Sequence, residues 1–219
     1  MRPALLFDLD GTLILSDALH AEVFVAMFAE HGREIDEAFY TENIQGRLND
    51  DIFAEFFPGQ DTAALAEEKE ARFRDRLGAS AEPVAGLTDL LDRAGREGWG
   101  LGVVTNAPRA NVDAMLGAIG VAHRFATVVV SEDLPRGKPD PLPYSTGLDR
   151  LGADPARALA FEDSRSGIAA ATAAGIATIG LRSSLGHDAL VSAGASDSIA
   201  DFTDPGLAPW LDRLTEETT

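Results

Sequence analysis

Two aspartates separated by one residue, Asp8 and Asp10, follow a short apolar run, Ala4-Leu5-Leu6-Phe7, and lead into Gly11-Thr12. Side chains two apart on an extended chain share a face, so this spacing predicts two carboxylates side by side at a strand end. Like charges held together need a cation or a shared proton. Thr12 adds a hydroxyl or a cap. Groups of matching character recur downstream: Thr105-Asn106 after Gly100–Val104, Lys138 within Arg136-Gly137-Lys138-Pro139-Asp140-Pro141, and Glu162-Asp163 after Ala158–Phe161. A Thr hydroxyl, an Asn amide and backbone N–H groups suit a phosphate oxygen, while the flanking Gly and Pro fix the direction in which the Lys138 ammonium is aimed. Carboxylate oxygens with no His or Cys among them imply Mg²⁺ rather than zinc. Singly, each group has a plainer explanation: an Asp-Gly turn, a surface lysine, a helix N-cap, a solvated acidic loop. Their appearance at consecutive strand ends outlines one site.

The elements that must position these groups are legible in the hydrophobic pattern. Apolar runs at 4–7, 100–104, 126–130, 158–161 and 176–179, with a weaker one at 198–200, predict strands of one parallel sheet, separated by helical segments as in βαβ units. Polar residues collect just after each run, at the carboxyl end of the strands where such sheets bind ligands. The small residues from Gly167 to Ala174 predict a helix packed close to the sheet. Residues 15–80 read differently. Leu19, Val23, Phe24, Met27 and Phe28 recur at helical spacing up to Gly32, Ile52 to Phe57 form a short helix stopped by Pro58-Gly59, and Leu65, Phe73 and Leu77 repeat the pattern over 61–77. The organisation is therefore an α/β core of residues 1–14 plus 81–219, with a helical unit of residues 15–80 inserted after the first strand. Glu82-Pro83 and Gly86 mark the return to the sheet, and the tail from Glu216 to Thr219 is expected to fray.

Composition sets the outer limits. The 219 residues are 45% hydrophobic, enough for a real core, and carry 36 acidic against 18 basic side chains for a formal net charge of −18. That balance argues against sequence-independent nucleic-acid binding and against an anionic membrane surface. It leaves room for a phosphorylated substrate, because a bound divalent cation and a few basic groups reverse the sign inside a cleft. Without cysteine, disulfide and thiolate chemistry are excluded. No run approaches a membrane span and the N-terminus lacks the apolar segment of a signal peptide, so a cytoplasmic enzyme, monomeric or a weak homodimer, is expected.

With these motifs in place, the chain resembles the haloacid dehalogenase superfamily of phosphohydrolases over nearly its whole length. The resemblance is carried by Asp8-Leu9-Asp10-Gly11-Thr12, by Thr105 at a strand end, by Lys138 ahead of Pro139, and by Glu162-Asp163. It implies a Rossmann-like parallel sheet core, with the inserted helices as the family's small α-helical cap. The insertion and the run Asp163-Ser164-Arg165-Ser166-Gly167-Ile168 look most like the β-phosphoglucomutase and sugar-phosphatase branch.

The resemblance also implies a chemistry. Asp8 would attack phosphorus and form an aspartyl-phosphate. Asp10 would protonate the leaving oxygen and later deprotonate water. Lys138 would pair with Asp8 and a phosphoryl oxygen, and Thr105 with the Asn106 N–H would hold the remaining oxygens. Mg²⁺ would be held by Asp8, the Asp10 carbonyl and Asp163, with Glu162 as a direct or neighbouring partner. An acid at position 10 favours cleavage of a phosphate ester over dehalogenation. In the insertion, Ile44-Gln45-Gly46-Arg47-Leu48-Asn49-Asp50 resembles a substrate-specificity loop, so Gly46, Arg47 and Asn49 are candidate substrate contacts. Lys69, otherwise a solvated helix-face lysine, and Arg109, four residues after Thr105, join them; His20 is placed to steady the junction of the two parts. The mutase branch carries an arginine where this chain has Asn49. The expectation is thus a Mg²⁺-dependent phosphatase of a small phosphorylated metabolite, with a β-phosphoglucomutase-type transferase as the alternative and a non-catalytic binding protein third.

Overall fold

The computed structural model describes residues 2–45 and 47–215. In chain order the elements are β1 (Arg2–Phe7), α1 (Asp17–Glu30), α2 (Glu37–Asn43), α3 (Asn49–Phe56), α4 (Thr62–Leu77), α5 (Leu87–Glu97), β2 (Gly100–Thr105), α6 (Arg109–Ala118), β3 (Thr127–Val130), α7 (Leu142–Leu151), β4 (Ala153–Glu162), α8 (Arg165–Ala173), β5 (Ala177–Leu181), α9 (His187–Ser192), β6 (Asp197–Ile199) and α10 (Ala208–Thr215). By contacts the chain divides into two compact units, residues 1–15 with 81–219 and residues 16–80.

In the larger unit the strands form one parallel sheet in the order β3-β2-β1-β4-β5-β6. Helices cover both faces of such a sheet, which is why its central strands read as unbroken apolar runs. Ala4, Leu5, Leu6 and Phe7 are each wholly buried. On one face Leu6, Val104, Val129 and Ala160 pack with Tyr144 and Leu148 of α7 and with Ala170 and Ala171 of α8. On β1 and β4 the Phe7 and Phe161 rings stack at 4.9 Å, and Phe202 meets both edge-on. The register pairs Phe7 with Val103 on one side and with Phe161 on the other. Asp8, Thr105 and Glu162 therefore reach the same edge of the sheet.

The smaller unit is helical throughout its described elements. Val23, Phe24, Met27 and Phe28 of α1 are buried with Ile52, Phe53, Leu65 and Phe73. Phe28 is ringed by Phe39, Phe56 and Phe57 at 4.8 to 5.9 Å. Asp36 and Asp61 cap α2 and α4 by accepting from Phe39 N–H at 2.8 Å and Ala64 N–H at 3.1 Å.

Several boundaries differ from those the hydrophobic pattern predicts. Helix α2 buries only Tyr40 and so leaves no periodic signal. Strand β4 begins at Ala153 rather than 158, because Ala153 pairs with Arg2 across an irregular register that the polar Asp154-Pro155 segment conceals. Helix α8 begins at Arg165 rather than Gly167, because the Ser164 hydroxyl caps it by accepting from Gly167 N–H at 3.1 Å. The tail from Glu216 and the turn residue Gly46 lie outside the described residues.

Candidate active site

Strand β1 stops at Phe7, but one further ladder bond, Asp8 N–H to the Phe161 carbonyl at 2.9 Å, fixes Asp8 beside the end of β4. There the Lys138 ammonium donates to Asp8 Oδ1 at 2.6 Å and to Glu162 Oε1 at 2.5 Å. Glu162 is fully buried and takes two more donors, the Tyr144 hydroxyl at 2.8 Å and the Ser164 hydroxyl at 3.0 Å. Asp163 Oδ2 accepts from Ser184 at 2.5 Å, while the Ser183 hydroxyl donates to the Gly11 carbonyl at 2.6 Å. These bonds orient three carboxylates from two neighbouring strand ends.

Two glycines make room for them. A Cβ at Gly11, which has φ +70°, would lie 2.1 Å from Asp163 Oδ2, and one at Gly167 would lie 1.9 Å from the Glu162 carboxyl carbon. Neither distance is compatible with any side chain.

Asp8, Glu162 and Asp163 each offer an oxygen within 4.8 Å of the others. Against their charge stands one ammonium, so the fully ionised group carries −2. Burial raises the Asp8 carboxyl well above the usual range; Lys138 opposes it and the neighbouring carboxylates add to it. Burial and then Glu162 push Asp163 up to about 7. Burial also works against the Lys138 charge, yet Asp8 and Glu162 outweigh it and hold the ammonium above the ordinary lysine range. Tyr144 is kept a phenol, by burial and by the Glu162 charge. An oxygen-only donor set with two surplus negative charges fits a hard divalent cation.

The backbone that carries Asp8 and Asp10 is not the extended chain their spacing predicts. After Asp8 the chain coils rather than extends: Leu13 N–H bonds the Leu9 carbonyl at 2.9 Å, and Asp10 forms an isolated bridge with Ile14. The half-buried Asp10 carboxylate is not one of the three clustered acids. Thr12 is wholly buried in that coil, and its hydroxyl has no hydrogen-bond partner among the described residues.

At the end of β2, Thr105 Oγ1 accepts from Ala107 N–H at 3.0 Å. The Asn106 amide does not stand ready for a phosphate oxygen. Its Oδ1 accepts from Lys138 N–H at 3.0 Å and from the Ser131 hydroxyl at 2.5 Å, and its Nδ2 donates to the Lys138 carbonyl at 3.2 Å. The amide thus ties the Lys138 loop to β2, across a Lys138–Pro139 bond that is cis. Arg109 is ion-paired with Asp133, and its backbone N–H reaches Glu132 at 2.9 Å.

The candidates of the helical unit are engaged within that unit. Lys69 is buried rather than solvated: its ammonium lies 2.8 Å from Glu70 Oε1 and 2.8 Å from His20 Nδ1, and it sits over the Phe24 ring. His20 stacks on Phe73 with centroids 4.0 Å apart. Asn49 donates to Glu70 at 2.6 Å, and Arg47 to Glu55 and to the Asn43 carbonyl at 2.7 Å each. Burial opposes the Glu70 charge, but Lys69 prevails and holds the carboxyl below its ordinary value.

Sequence reasoning passed over Tyr144, Ser164, Ser183 and Ser184. Ser164 had a usable signal, since it closes the polar group after a predicted strand, whereas Ser183 and Ser184 stand four and five residues beyond the run at 176–179. Tyr144 had none, because its aromatic ring reads as helix core and only its hydroxyl reaches the site.

The model of the haloacid dehalogenase-like hydrolase family matches residues 5–181. Over 215 residues the chain is 34% identical to validoxylamine A 7′-phosphate phosphatase of Streptomyces hygroscopicus subsp. limoneus, covering 95% of this chain and all of that protein. Fructose-1-phosphate phosphatase of Escherichia coli is 29% identical over 81% of this chain and 95% of its own. Among solved structures, a mutant form of CbbY from Rhodobacter sphaeroides in complex with xylulose-(1,5)bisphosphate superposes with a TM-score of 0.80 at 29% identity, covering 94% of this chain and 97% of that one.

Proposed function

This chain belongs to the haloacid dehalogenase-like hydrolases, and from that premise we propose that it is a Mg²⁺-dependent phosphatase of a small sugar phosphate, acting through an aspartyl-phosphate on Asp8. One observation carries the reading: the buried Lys138 ammonium joins Asp8 to a carboxylate cluster whose surplus charge suits a divalent cation.

In the first half-reaction an Asp8 oxygen bonds to phosphorus, and the bond from phosphorus to the ester oxygen breaks as Asp10 gives that oxygen its proton. In the second, water bonds to phosphorus, Asp10 takes a proton from it, and the Asp8–phosphorus bond breaks to release phosphate. The Lys138 bond to Asp8 fixes the nucleophile and offsets charge as the phosphoryl group arrives. A donor so placed contributes ~3 kcal/mol in the transition state. Thr105 Oγ1 and the Asn106 N–H receive phosphoryl oxygens, while the Asn106 amide, through the Lys138 backbone, keeps the ammonium in register. Asp8, the Asp10 carbonyl and Asp163 would hold Mg²⁺, with Glu162 alongside. When bound, the ion supplies neutralisation between carboxylate and phosphate that one lysine cannot give alone.

We assign substrate selection to the helical unit of residues 16–80, with Gly46, Arg47, Asn49 and Lys69 as its candidates and Arg109 as a candidate at the edge of the sheet. Relatives named for a sugar phosphate, and the solved neighbour holding a ketose bisphosphate, support that substrate class. Transfer between two positions of a hexose has less support. It requires a grip on a second phosphate, and Asn49 brings an amide already donating to Glu70 rather than a guanidinium.

Phosphate release from a panel of sugar phosphates, with and without Mg²⁺ and with Asp8→Asn, tests the assignment. Release that requires both the metal and Asp8 is expected. Phosphorylation of Asp8 by a sugar bisphosphate without net release would favour the mutase, and the absence of both release and phosphorylation would overturn the enzyme reading.

A further inference from the structure

At the opposite end of the sheet, where β1, β2 and β3 begin, lies a cavity of about 510 Å³. Arg2 opens β1, Gly100 opens β2 and Ala126 precedes β3, so all three strands contribute to its wall. Six residue steps from Arg2 to Asp8 place it about 20 Å from the nucleophile, at ~3.3 Å per strand residue. Its lining includes Arg2, His123 and Arg124 and no acidic side chain, in a chain whose acidic residues outnumber Lys and Arg by 36 to 18.

Each guanidinium is tethered by a hydrogen bond, Arg2 as an exposed residue and Arg124 as a half-buried one. Arg2 Nε donates to the Leu151 carbonyl at 3.2 Å, and this approach depends on Gly100, whose Cβ would stand 3.3 Å from Nε. Arg124 Nη2 donates to Asp92 Oδ1 at 2.7 Å from a side chain 23% exposed. The space beside it is open because position 95 on α5 is glycine, where an added Cβ would meet nothing nearer than Arg124 Nη2 at 4.0 Å. A guanidinium carries five N–H donors, and these bonds use one from each. Among the described residues Arg2 forms no ion pair, and Asp92 is half exposed, so its claim on Arg124 is weak. The buried Trp99 indole completes the wall and has the Arg93 guanidinium 5.5 Å from its centroid.

We propose that this cavity is a second ligand site, separate from the site at Asp8, for a small metabolite bearing oxyanion groups, a phosphate ester or a polycarboxylate. Arg2 and Arg124 take the oxyanion by forked hydrogen bonds, the chemistry that guanidinium shares toward both groups. Trp99 bounds the body of the ligand.

The chain has two tryptophans, so Trp210→Phe leaves Trp99 as the single indole reporter. Inorganic phosphate and citrate, titrated separately at constant ionic strength, distinguish the two sources of oxyanion. A saturable change in Trp99 emission with at least one of them is expected, and it should persist in Asp8→Asn. Arg124→Ala should weaken it about tenfold, the equivalent of roughly 1.4 kcal/mol. Gly95→Leu fills the cavity from a helix surface, removes no charge and favours helix; it should abolish the response while leaving phosphatase turnover unchanged. Absence of a saturable response to both probes overturns the proposal. So does a response of undiminished affinity in Arg124→Ala, one that survives Gly95→Leu, or one that vanishes with Asp8→Asn.

Discussion

Lys138 is one positive charge buried against two carboxylates, with a third close by, and its removal leaves charge that nothing in the protein offsets. Breaking such a pair from one side costs about 3–5 kcal/mol. Lys138→Ala is therefore expected to lower metal-free stability by ~3 kcal/mol in urea unfolding, and Mg²⁺ should restore part of the loss. Proton uptake by the stranded carboxylates competes with that cost, so the deficit should shrink as pH falls; a deficit independent of pH and metal would contradict the assigned charges. Thr12 is the opposite case. Its buried hydroxyl has no partner to lose among the described residues, and Thr12→Val keeps the shape while deleting a group that is expensive to bury. The melting temperature of that variant is expected to hold or rise. A fall would reveal a bond to the hydroxyl that the folded protein makes.

At the scale of elements, two helical glycines are predicted to respond in opposite directions to the same substitution. Alanine favours an exposed helix interior over glycine by ~1 kcal/mol, so the outcome depends on what the new methyl meets. At Gly95 in α5 it meets only open space and one distant guanidinium nitrogen, and Gly95→Ala should stabilise by about 0.5–1 kcal/mol. At Gly167 in α8 it would occupy the Glu162 carboxyl, and the displaced side chain would strand Lys138 and Tyr144. Gly167→Ala is expected to lose roughly 2 kcal/mol or more despite its better propensity, with Mg²⁺-dependent stabilisation lost alongside. The contrast also marks what a sequence can reveal. The strands and the apolar stripes of α1 and α4 were legible because burial on both faces, or on one stripe, leaves a periodic imprint. Asp8 and Glu162-Asp163 were legible because each sits at a strand end with a distinctive neighbour, and Lys138 because Gly137 and Pro139 flank it in the loop after β3. Tyr144 and the Asn106 amide were not, since each acts through a contact made across the fold: Tyr144 reaches a strand-end acid, and Asn106 clasps a loop 32 residues away. Lys69 misled for the same reason. A lysine among Glu and Arg reads as solvated until tertiary packing places aromatic rings beneath it.

For the molecule as a whole, the clustered acids couple folding, pH and metal. Asp163 has a carboxyl near 7 in the folded protein against 3.8 in an unfolded chain, and Asp8 is raised in the same direction. Between those values the folded state retains a proton that the unfolded state has released, so stability falls as pH rises, and the Asp163 contribution to the slope levels off above about pH 7. Metal-free protein should therefore be most stable on the acid side of neutrality. A divalent cation requires the ionised carboxylates, so its stabilising effect runs the other way. The rise in melting temperature produced by saturating Mg²⁺ is expected to be small near pH 5.5 and several-fold larger near pH 7.5, as the retained protons are surrendered. The net charge of −18 adds a background, because any salt screens self-repulsion and stabilises the compact state. NaCl at matched ionic strength separates the two, since screening of a surface already ionised at both pH values carries no such step. Asp163→Asn should flatten the Mg²⁺ profile and leave the NaCl response intact. A Mg²⁺ increment equal at the two pH values, or unchanged in Asp163→Asn, would mean that the cation acts on the surface charge and not on the cluster.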